Sequence, residues 1–305
     1  MITYTQIRDH RQWKSTVGLG EKEFTILANL FGKSYEKLNG ISLSDKALNL
    51  NQELPFTTYK ECLFFVLFYL RNPVVFDTLG FMFDTNSSVV QKNLNRLLPI
   101  LEATLQDQNM MPKRQFKDIE EFTNFLDGTD EITFDATEIA IQRPANYQKQ
   151  KEFYSGKKKR HTVKNLLITN SKKVILYLGK TVKGKEHDFS ILKNEFPSSI
   201  PWFEGLKVRL DLGFQGFENI YKTIKTYIPA KRKRAVKGKK SELTQEQKEY
   251  NKSIGKERVV VEHSIGGMKR YRIILERLRF KRIHLIDKIS GICAGLWNFT
   301  LSFKF

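Results

Sequence analysis

Three acidic residues stand out by where the sequence puts them. Asp135 lies inside the alternating run Ile132-Thr133-Phe134-Asp135-Ala136-Thr137, Asp211 ends Val208-Arg209-Leu210-Asp211, and Glu262 sits in a helical stretch between Arg258 and Lys269. A carboxylate in a central strand is costly unless it is paired or binds a cation. Three converging acids make a site for divalent metals, since Mg2+ takes oxygen ligands and keeps several waters that a phosphate can complete. Two such ions roughly 3.5–4 Å apart can activate an attacking oxygen and stabilise the leaving one in an in-line phosphoryl displacement. Arg258, Glu262 and Lys269 follow i−4, i and i+7, so one helix face carries an acid between two cations. Singly, each acid reads more simply as a strand-end cap, a turn residue or a surface ion pair. Spacing alone leaves both readings open.

The elements that must position these residues are predicted to be mixed. β-rich runs cover 132–137, 162–169, 174–182 and 206–212, with a short one at Tyr227-Ile228-Pro229. The pair flanking Asn170-Ser171-Lys172-Lys173 predicts an antiparallel hairpin. Residues 188–196 predict a helix, with Asp188 read first as its N-cap and, as the alternative, in a metal-related role. A second helical stretch runs from Lys256 to about Leu278, and a hydrophobic helix from Leu285 to Phe303 closes the chain. That order is the order of a ribonuclease H-like fold. His263 lies about 100° round the helix from Glu262 and reads as a core or surface histidine.

Upstream the spacing is helical from about Leu43 to Asp107. Thr57-Thr58 offers a cap for a buried helix through Cys62–Leu70, and Asn72-Pro73 breaks it. Val74–Met82 predicts a short second helix. A third, from Val89 to Leu105, is expected to kink or split at Pro99. Residues 111–125 read as a linker helix. Short helix, polar turn and helix is the layout of a helix-turn-helix, which would bring Gln91, Lys92, Asn95 and Arg96 to DNA. A three-helix bundle used for packing or dimerisation has the same pattern.

Charge separates the two parts. The chain has 305 residues, 52 Lys+Arg against 33 Asp+Glu, a formal net charge of +19 and a pI of about 9.7. Residues 1–130 hold 14 basic and 16 acidic residues, whereas 131–305 hold 38 and 17, so the cationic surface belongs to the second part. Its clusters are Arg143–Arg160, Lys231–Lys240 and Lys256–Arg282. A polyanion partner explains such an imbalance better than a small neutral substrate does. Any one run also suits a solvated face, and Lys231-Arg232-Lys233-Arg234 resembles a nuclear-localisation signal. With 40% hydrophobic and 12% aromatic residues, wholesale disorder is excluded. Two distant cysteines, Cys62 and Cys293, exclude a disulfide framework or a Cys-rich zinc site and suit a reducing compartment. The longest apolar run, Cys62–Leu70, is about half of what a membrane span needs. The polar N-terminus with Asp9 is not expected to be a signal peptide. The expectation is a soluble intracellular protein that faces a polyanion and no membrane.

Several blocks together resemble one family. They are Phe134-Asp135-Ala136-Thr137-Glu138, Ile141-Gln142-Arg143-Pro144, Tyr154 through Lys164, Gly184-Lys185-Glu186-His187-Asp188, Leu210 through Gly216, and Arg258 through Lys269. The combination is similar to the DDE-superfamily transposases, more narrowly to the bacterial insertion-sequence family-five type, which is related to the Harbinger-type nucleases. The family's helix-turn-helix module also matches residues 52–105 in position and length. The resemblance implies an α+β chain: an N-terminal helical helix-turn-helix domain over 1–125, then a ribonuclease H-like catalytic domain with a mixed sheet over 126–305, carrying a basic insertion at about 231–255. It implies Asp135, Asp211 and Glu262 as catalytic and metal-binding residues, with Mg2+ (or Mn2+), two ions per site. It implies DNA contact by Arg143, Lys157, Lys158, Lys159, Arg160, His161, Lys164, Arg258 and Lys269, and by Gln91, Lys92 and Arg96. The implied partners are double-stranded DNA, as terminal inverted repeats and as target, with self-association on DNA in a bacterial cytoplasm near the nucleoid. The implied chemistry is strand cleavage followed by strand transfer. Where the family often has Tyr three residues before the Arg of its last motif, this chain has Gly255. The alternatives are an inactive or domesticated DNA-binding regulator and a nuclease that cuts without joining.

Overall fold

The structure is a computed structural model that describes residues 1–50, 55–232, 242–278 and 282–304. The chain forms two compact units that interleave in sequence. One comprises Met1–Met111, Gly267–Leu278 and the segment from Lys288 onward; the other comprises Pro112–Gly266 and a stretch ending at Asp287.

The first unit is helical: α1 (His10–Thr16), α2 (Glu21–Asn39), α3 (Leu43–Leu50), α4 (Tyr59–Arg71), α5 (Phe76–Met82) and α6 (Ser87–Asp107). Helix α4 starts where its sequence says it should. The Glu61 N–H donates to Thr58 Oγ1 (3.2 Å), while the Glu61 carboxylate accepts from the N–H groups of Thr57 and Thr58 (2.8 and 3.1 Å), a reciprocal capping box. Its apolar side chains are buried, and Phe64, Phe65 and Phe68 pack around Phe83. Between α5 and α6 the chain turns through residues 83–86. Gly80 is required there, because a Cβ would meet the Thr85 carbonyl oxygen at 2.5 Å. Asn86 caps α6 through the Val89 N–H (3.0 Å). Pro99 does not split α6, contrary to expectation. Its ring is exposed, and the carbonyl it deprives of a donor belongs to Asn95, also on the exposed face where water can serve.

The second unit is built on a mixed sheet. Pro112 begins an extended segment, not the linker helix expected from 111: Lys113 exchanges backbone hydrogen bonds with Leu176 and Leu178 (2.9 and 3.0 Å), and only α7 (Ile119–Phe125), capped by Asp118, is helical. Then follow β1 (Glu131–Ala140), α8 (Tyr147–Phe153), β2 (Tyr154–Ser155), β3 (Arg160–Thr169), β4 (Ile175–Leu178), β5 (Val182–Lys183), α9 (Asp188–Glu195), β6 (Lys207–Arg209) and β7 (Lys225–Tyr227). Helix α10 (Gln245–Met268) and α11 (Ile283–Leu301) complete the chain. The sheet order is β2-β3-β1-β6-β7, with β4 and β5 also paired to β3. β1 is antiparallel to β3 and parallel to β6, and β6 is parallel to β7. The chain is therefore α+β, with a helical N-terminal region and a mixed sheet.

Local departures have local causes. The strand expected over 174–182 is two strands, broken at Gly179, where the Glu195 carboxylate fills the space a Cβ would need. The strand expected to reach Leu212 ends at Arg209, and Asp211 caps a 3-10 turn over Leu212–Phe214. Helix α10 starts before Lys256 and ends at Met268, so Lys269 lies one residue past it and not on its face. Phe122, Phe134, Phe196, Trp202, Phe203, Phe214 and Phe217 fill the core against the sheet. Residues 233–241 and 279–281 lie outside the described residues, and with them nine of the residues of the basic insertion expected at about 231–255.

Candidate active site

The two aspartates are brought together by strand register. β1 and β6 run parallel with Ile132 beside Val208 and Thr133 beside Arg209. Two residues beyond the last pair of that register, Asp135 is still within β1 while Asp211 lies just past β6, near enough for its charge to act on Asp135. Asp135 sits mid-strand opposite Leu167 of β3, where alternation turns Phe134 into the core and Asp135 to the other face. Asp211 lies past the end of β6, at the carboxyl edge of the parallel strands where α/β sheets bind ligands.

Each carboxylate is oriented. Asp135 Oδ1 accepts the Ala136 N–H at 2.7 Å, and Asp211 Oδ1 accepts the Gly213 N–H at 2.6 Å. Burial pushes the Asp135 carboxyl up to about 6. The Ala136 N–H opposes that push, Asp211 adds to it, Arg258 opposes it and Asp188 adds to it.

Helix α10 is pinned over this edge at several points. Asn251 exchanges hydrogen bonds with the backbone of Ala230 (2.8 and 3.1 Å). Arg209 of β6 bridges Glu131 of β1 (2.6 and 3.0 Å) and Glu257 of α10, with its guanidinium 4.1 Å from the Tyr227 ring centroid. One guanidinium thus joins β1, β6, β7 and α10. Next along the helix, Arg258 reaches Asp135 Oδ2 at 4.0 Å. Ser264 donates to the Lys173 carbonyl oxygen at 2.8 Å. Glu262 stands one turn beyond Arg258 and is exposed, as is His263. Among the described residues, no three His, Cys, Asp or Glu side chains are gathered as a ready metal cage. The structure thus brings Asp135, Asp211 and Arg258 together, with Glu262 a helical turn away from Arg258.

The sequence-predicted cations fall into two groups. Lys157, Lys158, Lys159 and Arg160 are all exposed on the β2–β3 turn, with Lys159 in the left-handed region (φ 53°). Arg143 is exposed and donates to Gln150 at 2.8 Å. His161 packs edge-on against Tyr154, and burial followed by the Arg143 charge moves its pKa down. Lys164 is different. It is buried, donating to the Glu186 carbonyl oxygen (2.7 Å) and Asp188 Oδ1 (2.9 Å), with Glu138 at 3.7 Å, so its ammonium faces inward rather than toward a phosphate. On α6, Gln91 and Lys92 are exposed. Arg96 turns inward, bonding Asn93 at 3.0 Å and lying near Tyr35 and Cys62.

Asp188 is the residue whose setting the sequence pattern misjudges. The N-cap of α9 is His187; Asp188 is the first helical residue, and its carboxylate leaves the helix to meet Lys164. A Cβ on Gly213 would lie 2.8 Å from Asp211 Oδ1 and 3.0 Å from Asp188 Oδ2, so the two carboxylates close on one glycine. The available signal was Gly213 itself, two residues after an acid at a strand end.

Residues 134–298, more than half of the chain, match the family described as DDE superfamily endonuclease. The match begins one residue before Asp135 and includes Asp211 and Glu262. A probable transposase for insertion sequence element IS702 from Microchaete diplosiphon is 38% identical over 174 residues, covering 57% of this chain and 58% of that protein. The chain thus spans less than two thirds of that relative's length. No solved structure matches the chain. Among the described residues, no helix is long and apolar enough to cross a membrane.

Proposed function

Because the chain belongs to the DDE superfamily of endonucleases, we propose that it is the transposase of an insertion sequence. In this reading it binds terminal inverted repeats, cleaves DNA strands with a divalent metal and joins the freed ends to target DNA. The observation that carries the reading is the convergence of Asp135 in β1 with Asp211 just past the end of the parallel strand β6, with Arg258 of α10 against Asp135. The sheet order, antiparallel on one side of β1 and parallel on the other, supports a ribonuclease H-like assignment. The α5–turn–α6 segment supports a helix-turn-helix, with residues 1–125 serving DNA or self-association and 126–305 serving catalysis.

DDE endonucleases depend in general on divalent metals, and the donors here suit a hard cation. Asp135 and Asp211 offer only oxygens, and burial leaves Asp135 short of compensating charge. Asp135 and Asp211 would hold Mg2+ (or Mn2+), as one or two ions, with Glu262 completing the set from α10. A bound ion supplies Lewis-acid stabilisation of charge on the phosphoryl oxygens. The chain's own residues do the rest. Arg258 balances Asp135 and turns its face to phosphate, while Arg143 and the Lys157–Arg160 turn grip the backbone. Water attacks the phosphodiester and frees a 3′-OH, which then attacks a target phosphorus and displaces a second 3′ oxygen.

The test is cleavage of a supercoiled plasmid carrying the element's ends in Mg2+, comparing wild type with Asp135→Ala, Asp211→Ala and Glu262→Ala, with binding to the same DNA followed in parallel. Nicking by wild type and binding without nicking by the variants supports the assignment. Binding without nicking by wild type, in Mg2+ and in Mn2+, moves the chain to a DNA-binding regulator. Nicking without joined products leaves a nuclease.

A further inference from the structure

We propose that Asp188, fixed by Lys164, is a further carboxylate of the Asp135–Asp211 site and that its charge strengthens divalent-cation binding there. The proposal rests on the metal-dependent reading above and adds one acid to it.

Lys164 lies on β3 opposite Glu138 of β1 in the antiparallel register. Its ammonium, with the side chain 8% exposed, ties the first turn of α9 to the sheet by reaching Glu186 O and Asp188 Oδ1 together. Asp188 does not cap its helix, so its carboxylate is not spent on backbone donors. One of its oxygens, Oδ1, is taken by Lys164. The other, Oδ2, lies 3.0 Å from the point where a Cβ on Gly213 would stand, and Asp211 Oδ1 lies 2.8 Å from the same point. Asp188 is also close enough for its charge to act on Asp135.

Counting charge around this edge gives Asp135, Asp211, Asp188 and Glu138 as anions against Lys164 and Arg258. A fold selected for stability alone gains nothing by closing carboxylates on one glycine, because like charges at short range repel and their desolvation is costly. A hard cation resolves the conflict. Carboxylates just outside a metal's direct ligands typically change its affinity by about 10- to 100-fold. The rival reading has Asp188 as no more than a tie between α9 and β3.

The experiment titrates Mn2+ alone into the full chain by calorimetry, without DNA, for wild type, Asp188→Asn and Lys164→Gln, after thermal melts establish folding. Asp188→Asn leaves Lys164 with Glu186 O and Glu138 as partners; Asp188→Ser replaces it if the amide disturbs packing. The expected result is Mn2+ binding about tenfold weaker in Asp188→Asn, and equal or tighter in Lys164→Gln, where a cation has gone and a donor remains. In plasmid cleavage, the Mg2+ needed for half-maximal rate should rise by the same factor in Asp188→Asn, with the rate restored at saturating Mg2+. Unchanged Mn2+ affinity in Asp188→Asn overturns the proposal, as does equal weakening in both variants, which is what a tie would give. Wild type that binds Mn2+ but nicks no plasmid defeats the catalytic reading and leaves the Asp188 result standing. Wild type that binds no Mn2+ overturns both.

Discussion

Arg258 of α10 places its guanidinium 4.0 Å from Asp135 Oδ2, so the acid at the centre of the sheet is balanced from a helix more than a hundred residues later in the chain. The pairing is partial. Burial still outweighs the Arg258 charge and holds the Asp135 carboxyl at about 6, above its ordinary value of 3.8. An acid raised in the folded state binds its proton more tightly there than in the unfolded chain, so stability is lost as the pH rises from the unfolded value through the folded one, and the cost is complete above it.

Asp135→Asn should therefore stabilise the protein at neutral pH without metal. Stability of the wild type is expected to fall as pH rises from about 4 to above 6, and the Asn variant to lack that fall. The gain is on the order of 1–3 kcal/mol at pH 8 and vanishes near pH 4. Denaturant unfolding at the two pH values, in EDTA, measures it. An Asn variant less stable than wild type at pH 8 would sink the idea that Asp135 is held charged at a cost.

The same ionisation predicts the pH dependence of cleavage. If Asp135 holds a cation only when deprotonated, the rate at limiting Mg2+ should fall about tenfold per pH unit below about 6. Saturating Mg2+ should move the inflection lower, since the cation competes with the proton. A rate flat between pH 5 and 7 at limiting Mg2+ would place the essential ionisation elsewhere.

The β2–β3 turn and Lys164 come from one basic block of sequence, yet they should behave oppositely on DNA. Replacing Lys157, Lys158, Lys159 and Arg160 by Gln should weaken binding to all sequences alike. It should also flatten the slope of log K against log salt by up to about 3–4, near 0.9 for each phosphate no longer neutralised. Lys164→Gln should leave that slope unchanged, because its ammonium is buried between Asp188 and Glu138. A slope unmoved by the quadruple change would make the turn a solvated face.

That contrast marks how far the chain could be read from its residues. Asp135 and Asp211 were legible because each ends or interrupts an apolar alternation, and alternation is a local property. The inward turn of Lys164 was not, since its partner Asp188 is 24 residues away and meets it only once β3 and α9 are packed. Asp188 itself looked like a helix cap because His187-Asp188-Phe189-Ser190 carries that local signature. Pro99 misled for the reverse reason: its local rule is sound, but the cost falls on an exposed carbonyl. Helices α1 and α2 precede the start expected at Leu43, although Phe24, Leu27, Phe31 and Tyr35 are buried at helical spacing. The place of Glu262 is not a local property either, because it depends on how α10 lies over the strands rather than on any strand register.

Helix α6 offers the last discrimination, between a DNA-reading helix and a packing one. Gln91 and Lys92 are exposed in its first turns, whereas Arg96 is turned inward, with its Nε buried and without a hydrogen-bond partner among the described residues. Lys92→Ala is expected to reduce the salt slope on terminal-repeat DNA by about 0.9, and Gln91→Ala to lose about 1–3 kcal/mol of discrimination between cognate and scrambled ends. Arg96→Ala should change neither. It should instead lower stability by about 1–2 kcal/mol, since its stem and guanidinium pack beside Tyr35 and Cys62. Fluorescence anisotropy on cognate and scrambled duplexes at several salt concentrations, together with thermal melts, separates the three. If Gln91→Ala and Lys92→Ala bind both duplexes like wild type, α6 does not enter a groove and the helical unit serves packing or self-association.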